Sequence, residues 1–268
     1  MKPNQHYTLI TGGSEGIGLE LAKLFAEDGH NLILVARSEE DLLNAKRQLE
    51  SSKTEVVIIV KDLFEKDAPF ELVREIEGRG LIVDILVNNA GQGVYGLFEE
   101  TEIERELDIV QLNVASLIVL TKAFLKPMIK RGDGKILNLS SIASKTPGPW
   151  QSVYHGTKAF VQSFSEALRS EVKDKGITIT ALLPGATDTD FFNKADMLDS
   201  KILEDRDKLA DPADVARDGY DALMRGDDKV ISGIKNKAMV AMSNLMPDSM
   251  AADAMKKQQE PVHEKDKK

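Results

Sequence analysis

There is no cysteine in these 268 residues, which excludes disulfides and thiolate chemistry alike. A basic surplus is missing too. The chain carries 35 Lys and Arg against 44 Asp and Glu, a formal net charge of −9, whereas a nucleic-acid binder usually needs a basic surface to neutralise phosphates. The four histidines, His6, His30, His155 and His263, are scattered without metal-ligand spacing, so no metal is expected. No apolar run approaches the roughly 18 residues of a membrane span. The start, Met1-Lys2-Pro3-Asn4-Gln5-His6-Tyr7, reaches a strand within a few residues and lacks a signal-peptide layout. These absences point to a cytoplasmic protein with no integral membrane segment and no nucleic-acid partner. What is present is a hydrophobic content of 42%, enough for a sizeable core in one large domain. No internal repeat or linker divides the chain before its tail.

Tyr7-Thr8-Leu9-Ile10-Thr11 is a β-like run, followed at once by Gly12-Gly13-Ser14-Glu15-Gly16-Ile17-Gly18. A helical stripe of Leu19, Leu21, Ala22, Leu24, Phe25 and Ala26 then runs up to Gly29. In such a unit the glycines let the backbone approach a pyrophosphate, and the helix N-terminus offers free N–H groups and a positive dipole end. The spacing is Gly-x-x-x-Gly-x-Gly rather than the commoner Gly-x-Gly-x-x-Gly, and a purely structural turn needs the same glycines. Further strands are expected at 31–36, 55–60, 83–87, 135–139 and 178–183. Helical patterns cover 39–49, 64–78, 102–131, the stretch from Tyr154 to about Lys175, and, behind the N-cap Asp211 and Pro212, a segment to about Met224. Strands alternating with helices in this way make a parallel sheet with helices on both faces, and ligands bind such sheets beyond the carboxyl ends of the strands.

The polar and glycine-rich stretches collect at those ends: Gly12 to Gly18, Arg37, Asp62, Asn88 to Gly91, Ser141 and Pro184-Gly185. After the second strand an acid would accept from a free ribose 2′-hydroxyl, and a base would suit a 2′-phosphate. Arg37 therefore favours NADP over NAD, although Glu15 in the glycine loop works against a phosphate, and a solvated strand-end charge would read the same. Tyr154 and Lys158 lie four apart, on one helix face. A phenol titrates near pH 10 unperturbed, roughly three units above neutrality, and an adjacent ammonium lowers that value. The pair is a proton donor or acceptor for an alcohol/carbonyl couple, though chance places such residues at this spacing in many helices.

Taken together, Thr11-Gly12-Gly13-Ser14-Glu15-Gly16-Ile17-Gly18, Asn88-Asn89-Ala90-Gly91, Asn113 in a long helix, Ser141, Tyr154 with Lys158, and Pro184-Gly185 resemble the short-chain dehydrogenase/reductase family over residues 7 to 232. The resemblance implies a three-layer α/β Rossmann-type fold with a seven-stranded parallel sheet, Val230-Ile231 being the seventh strand. It also implies a homodimer or homotetramer. It makes Tyr154 the acid or base, with Lys158 lowering its pKa and holding the nicotinamide ribose. Ser141 would bind the substrate oxygen and Asn113 a water of a proton relay. The cofactor, NADP(H) preferred and NAD(H) possible, would meet Gly12, Ser14, Glu15, Gly16, Ile17, Gly18, Arg37, Asp62, Leu63, Asn89, Ala90 and Gly91. Pro184, Gly185 and Thr187 complete that set with Tyr154 and Lys158. Ser140 competes for the substrate role, but the interval to Tyr154 selects Ser141. Asp62 alone would be a turn residue, Ser144 gets no role, and His155 is read as structural, pointing off the face of Tyr154.

In the family the segment matching Ala186 to Ala210 is a mobile lid over the substrate, and lids exclude water. Its apolar members are Phe191, Phe192, Met197 and Leu198; Gly93, Val94, Tyr95, Pro147, Pro149 and Trp150 are expected as further pocket walls. This composition suits a small carbonyl or alcohol substrate with an apolar portion. The catalytic domain is thus 1–233 and the tail 234–268. In the tail, Met239, Met242, Met246 and Met250 suggest a helix whose adaptable face packs on the domain, a subunit neighbour or the pocket mouth, ahead of attachment to a membrane surface, and Lys256 to Lys268 is polar enough to be disordered. The leading expectation is an NADP-dependent carbonyl reductase or alcohol dehydrogenase. The rivals are a non-catalytic NADP(H)-binding sensor or scaffold, and a nucleotide-sugar epimerase or dehydratase, for which the part after Pro184 is short.

Overall fold

The computed structural model of the protein describes residues 6–50, 54–243 and 246–262. The reading of Met1 to Gln5, His263 and the last charged residues fall outside them. Seven strands, β1 (His6–Thr11), β2 (Asn31–Ala36), β3 (Val56–Val60), β4 (Ile82–Asn88), β5 (Gly134–Leu139), β6 (Ile177–Leu183) and β7 (Lys229–Ile231), form one sheet in the order β3-β2-β1-β4-β5-β6-β7. All six pairings are parallel. The order reverses between β1 and β4, which opens a crevice beyond their carboxyl ends.

Successive strand residues face opposite sides of a sheet, and here each side meets helices. Ile10, Leu32, Leu34, Val87 and Leu137 pack under α1 (Gly16–Glu27), α2 (Glu39–Leu49) and α8 (Pro212–Arg225). Leu9, Ile33, Leu86, Ile136 and Ile179 pack under α3 (Ala68–Gly78), α5 (Leu117–Arg131) and α6 (Ser152–Val172). Between the central strands a buried polar thread runs from Thr121 through Asn88 and Asn138 to Ser165 at 2.8–3.0 Å. Asn88 uses its Nδ2 for two of these bonds, while its Oδ1 is buried without a partner among the described residues. The thread ties β4 and β5 to α5 and α6.

The expected helix at 102–131 is continuous but not uniform. α4 (Ile103–Val110) passes into a π-helical stretch, Gln111–Ser116, before α5 begins. This run of 29 residues is long and apolar enough to cross a bilayer by length and composition, which corrects the expectation that nothing reaches that size. Lys122 and Lys126 interrupt it, so it shows no unbroken apolar run. A core helix passes the same test, and Leu117, Leu120, Phe124 and Met128 are buried against the sheet.

Beyond β6 the segment 186–210 is pinched at its base, where Thr187 and Ala210 form a bridge. It contains the one-turn helix α7 (Phe191–Lys194) and two 3-10 turns, Lys201–Leu203 and Arg206–Lys208. After β7 come α9 (Ile234–Ser243) and α10 (Asp248–Gln259). The stretch expected to be disordered therefore contributes Lys256–Gln259 to a helix. Polar composition misleads here because tertiary hydrogen bonds hold that end.

Candidate active site

Gly12 and Gly16 hold the turn after β1 with φ of +63° and +53°, a left-handed backbone that only glycine adopts at little cost. Gly18 is needed for closeness. A Cβ there would lie 2.0 Å from the Gly12 carbonyl oxygen. Asn89, at the end of β4, donates from Nδ2 to the carbonyls of Thr11 and Gly12 at 2.8 and 2.9 Å. The Thr11 hydroxyl accepts from the Asn89 and Ala90 amides at 3.1 and 3.0 Å. β4 thus fixes the glycine turn from beneath. The first turn of α1 has no acidic residue, and its N-cap Glu15 makes no side-chain capping bond, so the N–H groups there suit an anion. Glu15 is instead paired with Lys194 of α7.

One cavity of about 750 Å³ opens over these ends of the sheet. It is lined by Gly12, Glu15, Gly16, Ile17 and Gly18, by Asn89, Ala90 and Gly91, by Ser141, Tyr154 and Lys158, and by Pro184, Gly185 and Thr187. Ser14, Arg37, Asp62, Leu63 and Asn113 are not on that lining. Arg37 projects from the end of β2 with its guanidinium 5.2 Å from the centre of the Phe64 ring, a cation–π contact. Asp62 accepts from the Phe64 amide at 3.0 Å, a turn bond. Leu63 is buried in the core.

Ser141, at the end of β5, donates to the Pro184 carbonyl at 3.3 Å and hydrogen-bonds Tyr154. Ser140 is spoken for: its hydroxyl donates to the Lys158 carbonyl at 2.8 Å. Lys158 is buried, and Nζ donates to the Leu139 carbonyl at 2.9 Å. It lies 5.7 Å from the centre of the Tyr154 ring. Burial pushes the Tyr154 phenol up to about 12, against the downward pull of Ser141. The same cause pulls Lys158 down to about 8. The expected lowering of Tyr154 is therefore reversed, because desolvation penalises both charged forms.

Asn113 lies in the π-helical stretch, where such irregularities often mark functional sites. Its side chain clamps the Gln92 backbone, donating to the carbonyl at 2.8 Å and accepting from the amide at 3.0 Å, and donates to Thr157 at 3.0 Å. A Cβ on Gly91 would fall 3.1 Å from Lys158 Nζ and 3.3 Å from Asn113 Oδ1. Lys158 and Asn113 thus close around Gly91.

Phe191, Phe192 and Met197 line the substrate end as expected, whereas Leu198 faces a second, smaller hollow. Gly93, Val94, Tyr95, Pro147, Pro149 and Trp150 do not line the cavity, and Tyr95 stacks on Trp150 at 5.7 Å. Their places on the wall are taken by Gln151, His155, Met239, Met255 and Gln259. Of the last three, only Met239 carried a faint signal in the sequence, as a member of the methionine spacing in the tail. His155 also reaches the cavity and is not turned away from it.

Comparison with known proteins agrees with this arrangement. The short chain dehydrogenase family model matches residues 6–198. A short chain dehydrogenase of Pseudocercospora fijiensis is 34% identical over 187 residues, covering 68% of this chain and 60% of its own length. The very-long-chain 3-oxoacyl-CoA reductase of Kluyveromyces lactis is 34% identical over 187 residues, covering 66% and 54%. The chain therefore spans less than two thirds of either relative. Among solved structures, a short-chain dehydrogenase from Sphingobium yanoikuyae in complex with NADPH superposes with a TM-score of 0.78 at 27% identity, covering 92% of this chain and 99% of that one. With the family model spanning most of the chain and the fold shared over 92% of it, this protein belongs to the short-chain dehydrogenase/reductase family of oxidoreductases.

Proposed function

We propose that the protein is an NADP-dependent oxidoreductase that interconverts a carbonyl and a secondary alcohol in a substrate with an apolar portion. The observation that carries this reading is the meeting of Ser141, Tyr154 and Lys158 with a glycine cradle on one cavity. When bound, a nicotinamide dinucleotide would supply the hydride. Gly12, Gly16, Gly18, Asn89, Ala90, Gly91 and Thr187 would hold it, and the uncapped N-terminus of α1 would face its phosphates.

Tyr154 is the proton donor in reduction. Its raised pKa keeps the phenol protonated at neutral pH, the form that direction requires. Ser141 hydrogen-bonds the substrate oxygen and steadies the charge that develops on it. Lys158 stays anchored on Leu139, its ammonium directed at the Tyr154 side of the site, and Asn113 keeps Gln92 and Thr157 in place around it. Phe191, Phe192 and Met197 receive the apolar part and keep water out.

Arg37 on Phe64 supports a 2′-phosphate, and the pairing of Glu15 with Lys194 offsets the carboxylate that argued against one. The NADPH complex of the Sphingobium relative favours the same cofactor. A homodimer or homotetramer belongs to this reading, supported by exposed Ile103 and Leu107 on α4, Ile118 on α5 and Phe160 on α6. So do a cytoplasmic location and the division into a catalytic unit, 1–233, and a tail, 234–268. The test is a panel of ketones and aldehydes with purified protein and either NADPH or NADH. Consumption of NADPH with at least one apolar ketone, faster than of NADH, is expected. Tight NADPH binding with no turnover of any carbonyl would leave a cofactor-binding sensor in its place.

A further inference from the structure

α10 is an amphiphile with little to hold it. Of its twelve residues only Ala251 and Gln259 are buried, and a segment with so few buried contacts belongs to the low-stability end of a fold. Its attachment is concentrated at its C-terminal end. The Gln259 carbonyl accepts from the Tyr95 hydroxyl and, at 3.2 Å, from Ser200. The Gln259 side chain donates from Nε2 to His155 Nε2 at 3.1 Å, with Gln151 Oε1 at 3.5 Å. Just beyond, Glu260 pairs with Lys201, Pro261 bridges Ser200, and the Val262 amide donates to Asp199 at 2.9 Å. The end of the chain is thereby stitched to the lid and to the first turn of α6, next to Tyr154.

The seam is sealed but badly matched. Gln151 Nε2, Gln259 Oε1 and Trp150 Nε1 are buried with no hydrogen-bond partner among the described residues. Trp150 itself has φ of +70°, a left-handed backbone unfavourable for a bulky residue. Each unpaired polar atom bears a desolvation cost that water removes once the seam opens. A wall with small apolar burial, a strained neighbour and unpaired groups along its joint is held shut by the bonds of Gln259 and, just beyond it, by those of Glu260, Pro261 and Val262, of which only the Gln259 side chain reaches the first turn of α6.

We propose that Gln259 is a specificity-determining residue of this site, the latch that keeps the C-terminal helix in place as a wall of the substrate cavity. Met255, Gln258 and Gln259 line the cavity from α10, opposite the lid residues Phe191 and Met197. With the latch made, α10 closes one side of the cavity, and substrates too bulky for the room left beside the dinucleotide must release Gln259 first. The proposal rests on the oxidoreductase reading for its substrate, but not for the latch itself.

Trp150 is the single tryptophan of the chain and stacks on Tyr95, whose hydroxyl holds Gln259, so its emission reports on the seam. Two full-length variants test the proposal. Gln259→Ala removes the side-chain bonds to His155 and Gln151, and Tyr95→Phe removes one hydroxyl while keeping the ring stack. In both, acrylamide quenching of Trp150 should rise about twofold as the seam opens more often. The ratio of kcat/KM for a bulky diaryl ketone over a small methyl ketone should rise roughly fivefold. Unchanged quenching in both variants, or raised quenching with an unchanged ratio, overturns the proposal. Should Gln259→Ala fail to fold, Tyr95→Phe decides alone. Raised quenching in a protein that turns over no carbonyl, wild type included, upholds the latch and refutes the oxidoreductase reading.

Discussion

At Tyr154 the chemistry depends on what surrounds one hydroxyl. Replacing Tyr154 by Phe removes the hydroxyl proposed as proton donor and leaves the ring in contact with Phe191, 5.2 Å away. Turnover should drop by at least about 100-fold while NADPH affinity, measured by fluorescence titration, stays near wild type. Lys158 makes a pH prediction. Its folded pKa of about 8 lies below the ordinary 10.5, so between those values the unfolded chain binds the extra proton, and stability rises with pH through that window. Lys158→Met removes the buried charge. The variant's stability advantage over wild type at pH 7 should shrink by about 3 kcal/mol as pH rises towards 10, as followed by urea unfolding at each pH; a constant difference would dismiss the burial argument. Arg37→Ala should weaken NADPH by roughly tenfold and NADH little, and equal losses for both would remove the 2′-phosphate role. The direction of the Tyr154 shift was not legible in sequence. Spacing shows that an ammonium is near, but the shift depends on how much water both groups lose.

Among the elements, the glycine turn couples fold to site. Gly18 and Gly29 both follow from the same strand–turn–helix pattern, yet they differ in what a methyl group would meet. At Gly29 there is nothing within 4 Å, whereas at Gly18 the Gly12 carbonyl is 2.0 Å away. Gly18→Ala should therefore cost about 1–3 kcal/mol by overpacking and abolish dinucleotide binding. Gly29→Ala, with only φ of +81° against it, should leave binding intact. Calorimetry with NADPH separates the two. The strands and long helices were readable almost to the residue, because period-2 and period-3.6 patterns are local and two-sided burial reinforces them. The π-helical stretch holding Asn113 was not, since one extra residue in a turn leaves the apolar pattern nearly unchanged.

For the whole molecule, the exposed apolar surface is the open account. Leu107 is 59% exposed and Ile103 53%, on the helix that packs beside α6. A homo-oligomer would cover them. The wild type should elute in gel filtration well above the 29.5 kDa of one chain, and Leu107→Glu should shift it towards that mass with the circular dichroism spectrum unchanged. Elution of the wild type as a monomer would end that reading.

The sequence by itself determined the layers, the parallel sheet, the strand ends at which function collects, and the cluster of Ser141, Tyr154 and Lys158. The layers and the sheet follow from periodicity along one chain, and the cluster from motifs that resemble the short-chain dehydrogenase/reductase family. Only the tertiary structure decided what walls the cavity and how its groups titrate. Gln259 lies 105 positions beyond Tyr154 in a polar tail, and its burial against His155 comes from hydrogen bonds across the fold that no local pattern encodes. Trp150 and Tyr95, expected on the pocket wall, instead stack on each other off the cavity lining, with the Tyr95 hydroxyl donating to the Gln259 carbonyl. Burial is a property of neighbours, and distant neighbours are supplied by the fold.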